Sequence, residues 1–359
     1  MRSRYAESAP DPARTAESDT YYDPGVESDT PWSPLHDLDP LDQQVTQALQ
    51  LDGRASFRRI GEVLGVSDQT VARRHARLRE TAGLRVLGLT EPLRMGLTPW
   101  FVRVRCTPDA AQQIGDALAR RTDTRWVSLL SGGTEIGCLT HVSDPAEDPH
   151  ALLLNKLPRT PRVVQVTAHA LLHVFFGGDL SPYGRLGPLT PGQVAALRPP
   201  PPADTTEPAV LDEGDRRLLE LLAHDGRTPA AELAAATGWS PTTVRRRMAE
   251  LRASGVLYFD LDFGPGLHPR ELQTALWLEV EPAHLAAVGA ALADHTQVAF
   301  AAATTGTANV YACLLCRDAP SLYRYLTGPV AALPGVRRTE TAPIHRTLKG
   351  AGPFFLPNR

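Results

Sequence analysis

A stretch of 42 residues occurs twice in this chain of 359 residues. Leu38–Arg79 aligns with Leu211–Arg252 without a gap, at a constant offset of 173, and 16 of the aligned positions are identical. Repeats in solenoid proteins recur every ~20–50 residues, so a period this long does not indicate a solenoid. The chain therefore encodes one module twice, and it can do what a homodimer of half-length chains would do.

Composition favours a cytoplasmic protein without a membrane segment. No apolar run reaches the ~18 residues that a membrane-spanning helix needs, and the N-terminal residues lack the apolar core of a secretory signal. Four cysteines are too few for a disulfide framework in a chain of this size.

The net charge of −3 is unevenly distributed. Residues 1–36 hold seven acids and three arginines, and we predict that they form a disordered acidic tail. The remainder carries about +1, and its arginines cluster at matching places in the two copies. Residues 177–209 include four consecutive prolines and are predicted to form an irregular, stiff linker.

The first part of each copy, at 37–92 and 210–264, has the pattern of a helix-turn-helix. Apolar residues recur at helical spacing on both sides of a turn that contains glycine and serine. Ser67 and Ser240 are suitable N-caps for the second helix. Val71, His75 and Leu78 are spaced i, i+4, i+7 and define the inward face of that helix, so His75 is predicted to be a packed histidine.

The opposite face of the second helix is predicted to contact DNA. Arginine and glutamine suit base edges in the major groove, and the helix N-terminus favours phosphate. Arg74 and Arg247 lie at the flank, where they suit phosphate contacts. The alternative is that the arginines only solvate a helix face. The candidate residues are Ser67, Gln69, Thr70, Arg73, Arg74, Arg77, Ser240, Thr242, Thr243, Arg245, Arg246 and Arg247.

The two helices differ at Ala72/Arg245 and Arg77/Glu250, so we expect them to read half-sites that are not identical.

The second part of each copy, at 95–176 and 268–350, alternates strand, helix, strand, strand, helix, strand. This βαββαβ order predicts a ferredoxin-like sheet with two helices on one face. In copy one we predict strands at 99–106, 124–130, 134–142 and 163–174, with helices at 109–121 and 148–157. In copy two we predict strands at 272–280, 296–304, 307–316 and 336–347, with helices at 283–294 and 319–332.

This combination resembles the Lrp/AsnC family of bacterial transcription regulators, which join a winged helix-turn-helix to a RAM (regulation of amino-acid metabolism) domain. The residues that carry the resemblance are the two aligned stretches, Thr305-Gly306, Leu333-Pro334-Gly335-Val336, and the counterparts Ser131-Gly132 and Leu157-Pro158. The resemblance implies an α+β chain with two winged helix-turn-helix domains and two ferredoxin-like RAM domains. It also implies RAM sheets that pair face to face, here within one chain as a pseudo-dimer, and spare sheet edges that support dimers or tetramers of the chain.

Members of the family commonly bind an amino acid or another small effector near the turn between the second and third RAM strands. The resemblance places this site at Ser131, Gly132, Gly133 and Glu135 in copy one, and at Thr305, Gly306, Thr307 and Asn309 in copy two. It implies that Glu135 would meet an ammonium group, a charge that Asn309 lacks, so copy one is the better candidate. The alternative is that these residues form only tight turns.

Other residues that suggest chemistry are interpreted as structural. Cys313 and Cys316 fall on a predicted strand, where residues three apart point to opposite faces, so they cannot share a metal. His169 and His173 lack a third ligand and are predicted to lie at the surface or an interface. We predict no catalytic site, cofactor or metal.

The leading hypothesis is a DNA-binding regulator with double-stranded DNA as its partner. The alternatives are a siroheme decarboxylase, since those enzymes resemble Lrp/AsnC proteins, and an architectural nucleoid protein with little sequence preference. The strand segments at 126–133 and 299–306 suit packing more than the histidine-, tyrosine- and arginine-rich segments that hold a tetrapyrrole.

Overall fold

A computed structural model of the chain describes residues 38–142, 156–178, 187–203, 208–263 and 272–352. The predicted tail at 1–36 and most of the predicted helix at 148–157 lie outside these residues. Within the described ranges, no helix is long and apolar enough to cross a membrane.

Within the described residues, the helices and strands follow the predicted order, with the helix predicted at 148–157 of copy one mostly outside them. The helices are α1 (Pro40–Leu51), α2 (Phe57–Leu64), α3 (Asp68–Ala82), α4 (Pro108–Ala119), α5 (Pro191–Leu197), α6 (Glu213–His224), α7 (Ala230–Thr237), α8 (Pro241–Ala253), α9 (Leu285–Asp294) and α10 (Ala319–Tyr325). The strands are β1 (Arg85–Thr90), β2 (Thr98–Cys106), β3 (Thr124–Leu130), β4 (Glu135–Val142), β5 (Val163–Phe176), β6 (Leu257–Asp262), β7 (Leu272–Val280), β8 (Val298–Thr304), β9 (Val310–Cys316) and β10 (Val336–Lys349).

The helix-turn-helix units, α1–α3 and α6–α8, share one hydrophobic core. Leu49 and Leu222 occupy the same position in the repeat, and both are fully buried in one cluster that draws side chains from both copies. β1 follows the first unit and β6 follows the second. The two strands pair antiparallel, with Arg85 opposite Asp262 and Thr90 opposite Leu257, so the ladder joins the two units. Each unit therefore needs the other both to bury its apolar side chains and to pair its strand.

Two arginines cross between the units in opposite directions. Arg54 Nη1 donates to the carbonyl oxygens of Gly226 (2.9 Å) and Thr228 (2.8 Å). Arg227 Nη1 donates in return to the carbonyl oxygen of Gly53 at 2.6 Å. This reciprocal arrangement explains why an Asp-Gly-Arg sequence occurs in both copies.

The two ferredoxin-like sheets join edge to edge into a closed barrel of eight strands, in the order β10-β3-β4-β2-β5-β8-β9-β7. The last strand of each sheet is 14 residues long and serves both sheets. The first part of β5 pairs with β2, and its end pairs with β8 from Leu171 onward. Likewise, β10 pairs first with β7 and then with β3 from Ile344 onward.

Closure of the barrel corrects one sequence-based expectation. The prediction of spare sheet edges was wrong, because the long strands β5 and β10 use those edges to join the two copies. The two sheets also pack face to face inside the barrel, where the rings of Phe101 and Tyr311 stack with centroids 4.1 Å apart.

The prediction of an irregular linker at 177–209 was wrong for its central part. Thr190 and Gln193 form a capping box, and Pro191 occupies the first turn, so α5 begins there. Leu189 and Leu197 are buried in the shared core. Gln193 Nε2 also donates to the carbonyl oxygen of Val63 at 3.1 Å, which holds α5 against copy one.

The prediction for the two cysteines of β9 is confirmed. Cys316 belongs to the core cluster on the helix-covered face of the sheet. Cys313, three residues earlier on the same strand, lies on the other face, and burial raises the pKa of its thiol to about 12.

His75 is a packed histidine, as predicted. Its side chain lies on the buried face of α3, and its ring is 5.2 Å from that of Phe57. Burial lowers the pKa of His75 to about 4, and the nearby charge of Arg227 acts in the same direction. Copy two has Met248 at the equivalent position, so a neutral side chain fits this site.

We expect His75→Met to reduce the acid sensitivity of folding. His75 is neutral in the fold and gains a proton near pH 6.5 when unfolded, so its contribution is complete above pH 6.5 and is lost as the pH falls toward 4. Between pH 7.5 and 5 this loss amounts to about 2 kcal/mol. Urea unfolding at both pH values measures it. An equal pH dependence in the variant and the wild-type chain would contradict the assignment.

Candidate nucleic-acid interface

Serine caps fix the starts of α3 and α8 in the same way. Ser67 Oγ accepts a hydrogen bond from the Thr70 amide at 3.1 Å, and Ser240 Oγ accepts one from the Thr243 amide at 3.1 Å. The hydroxyl groups of each Ser–Thr pair are also 2.9 Å apart. The N-cap prediction is confirmed, and the two threonines contribute to the caps.

The face of each helix predicted to meet DNA is exposed. Val71, Val244 and the rest of the inward stripe lie in the shared core. The exposed residues on the opposite face are Gln69, Arg73, Ala76 and Arg77 in α3, and Thr242, Arg245, Arg246 and Ala249 in α8.

Arg74 and Arg247 do not lie free at the flank of this face. Arg247 makes a two-pronged ion pair with Asp215, with N–O distances of 2.6 and 2.7 Å. Arg74 bonds the equivalent Asp42 at 3.3 Å and also Asp39 at 2.8 Å. Because these pairs tie α3 to α1 and α8 to α6, they correct the interpretation of both arginines as phosphate contacts.

The acids in these pairs are buried, and they were not among the residues predicted from the sequence. Asp42 and Asp215 are 2% and 0% exposed. Burial would raise the pKa of the Asp215 carboxyl, but hydrogen bonds from Arg247 and from the Asp212 backbone outweigh it and hold the pKa below its usual range. The signal was present in the sequence, since both the acid and the arginine recur at an offset of 173.

The exposed arginines differ in their partners. Arg77 pairs with Asp42, whereas Arg246 Nη1 bonds the Glu250 carboxylate at 2.6 Å. Arg73 and Arg245 make no hydrogen bond or ion pair with any other residue that the structure describes. Among the described residues, the outward face of each helix therefore presents one unpartnered guanidinium group to solvent.

The effector site predicted in copy one is already neutralised. Glu135 is buried, and its carboxylate accepts hydrogen bonds from Arg103 at 2.7 Å and Arg105 at 2.6 Å. Arg103 also bonds Glu340 of copy two at 2.8 Å and lies over the ring of Trp277, 4.0 Å from its centroid. This corrects the interpretation of Glu135 as a free partner for an ammonium group, because its carboxylate is bound by Arg103 and Arg105, and Arg103 also contacts copy two.

The other residues predicted to bind an effector form a tight turn in copy one and a backbone contact in copy two. Ser131, Gly132 and Gly133 adopt positive φ angles of 52°, 69° and 87°, which makes a tight left-handed turn. In copy two, the Asn309 amide bonds the backbone N–H (2.9 Å) and C=O (2.8 Å) of Val280.

The turn of copy two lies at the junction between the copies. The backbone of Thr305 pairs with that of Ala170 in β5, and the Thr305 hydroxyl accepts a hydrogen bond from the Ala170 amide at 2.9 Å. His169 Nδ1 lies 2.7 Å from the Thr305 carbonyl oxygen, so the prediction that His169 lies at the surface or an interface is confirmed. Gly306 and Thr307 are exposed.

Two helix-turn-helix units over a ferredoxin-like barrel define a DNA-binding type of protein, and comparisons with known proteins agree. The AsnC-type helix-turn-helix domain matches residues 38–79 and 211–252, and the Lrp/AsnC ligand binding domain matches residues 274–354. An uncharacterized HTH-type transcriptional regulator of Pyrococcus abyssi is 31% identical over 133 residues, which cover 37% of this chain and 84% of that protein. The chain belongs to the Lrp/AsnC family of transcriptional regulators.

Other relatives give the same result. The HTH-type transcriptional regulator LrpA of Pyrococcus horikoshii is 28% identical over 141 residues, or 39% of this chain and all of that protein. Among solved structures, the siroheme decarboxylase NirDL aligns over 88% of this chain and 94% of its own, with a TM-score of 0.60 and 11% identity. At this identity the likeness concerns the fold alone, and it fits the α+β architecture.

We expect neighbouring arginines to separate into two classes when changed to glutamine. Arg247→Gln leaves the buried Asp215 carboxylate short of its arginine partner and should lower the free energy of unfolding by about 2–3 kcal/mol. Arg74→Gln should lower it by about 1 kcal/mol, because Arg77 still pairs with Asp42. Arg73→Gln and Arg245→Gln, which change exposed and unpartnered side chains, should stay within about 0.5 kcal/mol of the wild-type chain. Urea denaturation of the four variants checks this, and equal effects in both classes would refute it.

Proposed function

We propose that this chain is a sequence-specific DNA-binding transcriptional regulator in which one polypeptide reads two half-sites of one operator. The observation that carries the proposal is the shared core of the two helix-turn-helix units, each with an exposed, arginine-bearing face. We call the two helix-turn-helix units, α1–α3 and α6–α8, the two heads. In a homodimer two chains supply the two heads, whereas here one chain supplies both and is a covalent pseudo-dimer.

The exposed face supplies both kinds of DNA contact. Arg73 and Gln69 in α3 match the donor and acceptor patterns of guanine and adenine in the major groove. The capped N-termini of α3 and α8 direct backbone N–H groups outward, where phosphate oxygens are favoured. The phosphate contacts would make binding sensitive to salt.

We propose further that DNA binding requires no amino acid at Glu135, because two arginines already neutralise that carboxylate. The predicted dimers or tetramers of the chain would have to form through surfaces other than sheet edges, since the barrel is closed.

The enzyme alternative is supported by the fold of NirDL, which extends over most of both chains. A second structure of that enzyme holds an iron-uroporphyrin III analogue, so the same compound is a suitable probe. Titration of the purified chain with the analogue, followed by absorbance, separates the two functions. Saturable binding together with decarboxylation of siroheme would favour the enzyme over the regulator.

We expect Arg73→Ala to weaken binding to the best DNA site by about 1–3 kcal/mol, or about 5- to 150-fold, because it removes a contact with a base or phosphate. The site comes from selection on sheared genomic DNA, and fluorescence anisotropy gives the affinity. Arg120→Ala is a matched control, since Arg120 is exposed on the ferredoxin-like domain at the end of α4.

Unchanged affinity in Arg73→Ala would refute the assignment of this face. Uniform, salt-sensitive binding without enrichment of any site would support the architectural alternative instead.

A further inference from the structure

We propose that the chain binds an asymmetric operator in one fixed orientation, because the unpartnered arginine on the outward face lies one helix position earlier in copy two than in copy one. The proposal rests on the proposed function and specifies the class of DNA site that it recognises.

The repeat allows the two helices to be compared position by position. At an offset of 173, Arg73 is equivalent to Arg246, and Ala72 is equivalent to Arg245. Arg73 has no partner among the residues that the structure describes, whereas Arg246 is held by Glu250 at 2.6 Å. The unpartnered guanidinium of copy two therefore belongs to Arg245, one residue earlier in the helix.

A shift of one residue changes what an arginine can reach. Successive helix positions are ~100° apart around the axis and ~1.5 Å apart along it. Two guanidinium groups that start from such different directions cannot meet equivalent atoms when the two helices dock in the same way. Gln69 and Thr242 add to the difference, because glutamine can make two hydrogen bonds to adenine and threonine cannot.

Two differences between the copies cause the shift: Arg245 stands where copy one has Ala72, and Glu250 stands where copy one has Arg77. At position 77 copy one has an arginine, which turns toward the buried Asp42 and leaves Arg73 unpartnered. At the equivalent position copy two has Glu250, which accepts hydrogen bonds from Arg246 and, at 3.1 Å, from Arg247. These bonds lower the pKa of the Glu250 carboxyl, so it remains charged at neutral pH. Glu250 and Arg245 are therefore the specificity-determining residues of copy two.

The shared core fixes α3 and α8 relative to each other, so DNA meets both of their different outward faces at once. The β1–β6 ladder and the reciprocal bonds of Arg54 and Arg227 hold the two heads in one arrangement. A homodimer presents two identical heads and suits a palindrome. This chain presents two different heads in a fixed order, so reversing the DNA site exchanges which half-site each head meets.

The test is selection of random double-stranded DNA by the full chain, followed by sequencing. We expect two different half-sites in a constant order. In anisotropy measurements, operators that carry either half-site twice should bind at least about 10-fold more weakly than the selected one, since each mismatched base pair costs ~1–3 kcal/mol. Enrichment of a palindrome with identical half-sites would overturn the proposal while leaving the proposed function intact. Enrichment of no sequence would refute the proposed function itself.

Two variants test the residues named. In Glu250→Gln, Arg246 is released, so the selected bases should change in one half-site only. Glu232→Gln, an exposed acid on α7, is the matched control and should select the wild-type site. The triple variant Gln69→Thr/Ala72→Arg/Arg77→Glu gives α3 the outward face of α8 and should select a palindrome of the copy-two half-site. An unchanged site in both Glu250→Gln and the triple variant would overturn the assignment, with circular dichroism confirming that each variant is folded.

Discussion

The burial of apolar side chains between the two helix-turn-helix units is the interaction on which the rest of the structure depends. Leu49 and Leu222 are fully buried in the shared core, and such side chains each contribute ~1.5–3 kcal/mol relative to exposure. A two-stranded ladder such as β1–β6 is marginal alone in water, so it relies on the core beneath it. The core in turn fixes α3 and α8 in one arrangement. The barrel repeats this dependence, because each sheet closes only with the last strand of the other.

Duplication within one chain permits differences that a homodimer cannot have. Arg103 contacts Trp277 and Glu340 across the copies. When the nine-residue strands β2 and β7 are aligned end to end, the position of copy two that is equivalent to Arg103 is Trp277 itself. The equivalent positions Arg77 and Glu250 differ likewise, because Arg77 pairs with Asp42 whereas Glu250 pairs with Arg246. The shared features maintain the fold, and the divergent ones distinguish the two heads. The fixed orientation on DNA that we propose follows from combining the two.

Much of the fold could be predicted because helical and strand periodicities are local. The repeat, the serine caps and the 3.6-residue pattern identified α3, α8 and their exposed faces. The recurrence of Asp42 and Arg74 in both copies marked one set of ion pairs, but the partners of Arg74 and Glu135 are set by which elements pack together, so the sequence did not assign them. Helix α5 was missed because proline runs dominated the segment, although Thr190 and Gln193 form a recognisable capping box. Barrel closure depends on pairing between copies, which the period of a strand does not reveal.

The most direct test of the shared core is native-state hydrogen exchange of the α3 and α8 amides in the wild-type chain and in Leu222→Ala. Leu222 lies in copy two, and its truncation should cost about 2–5 kcal/mol. If the two units form one cooperative core, the free energy of opening should fall equally in α3 and α8. A loss confined to α8, with α3 unchanged, would show that the two heads fold independently and would contradict the account.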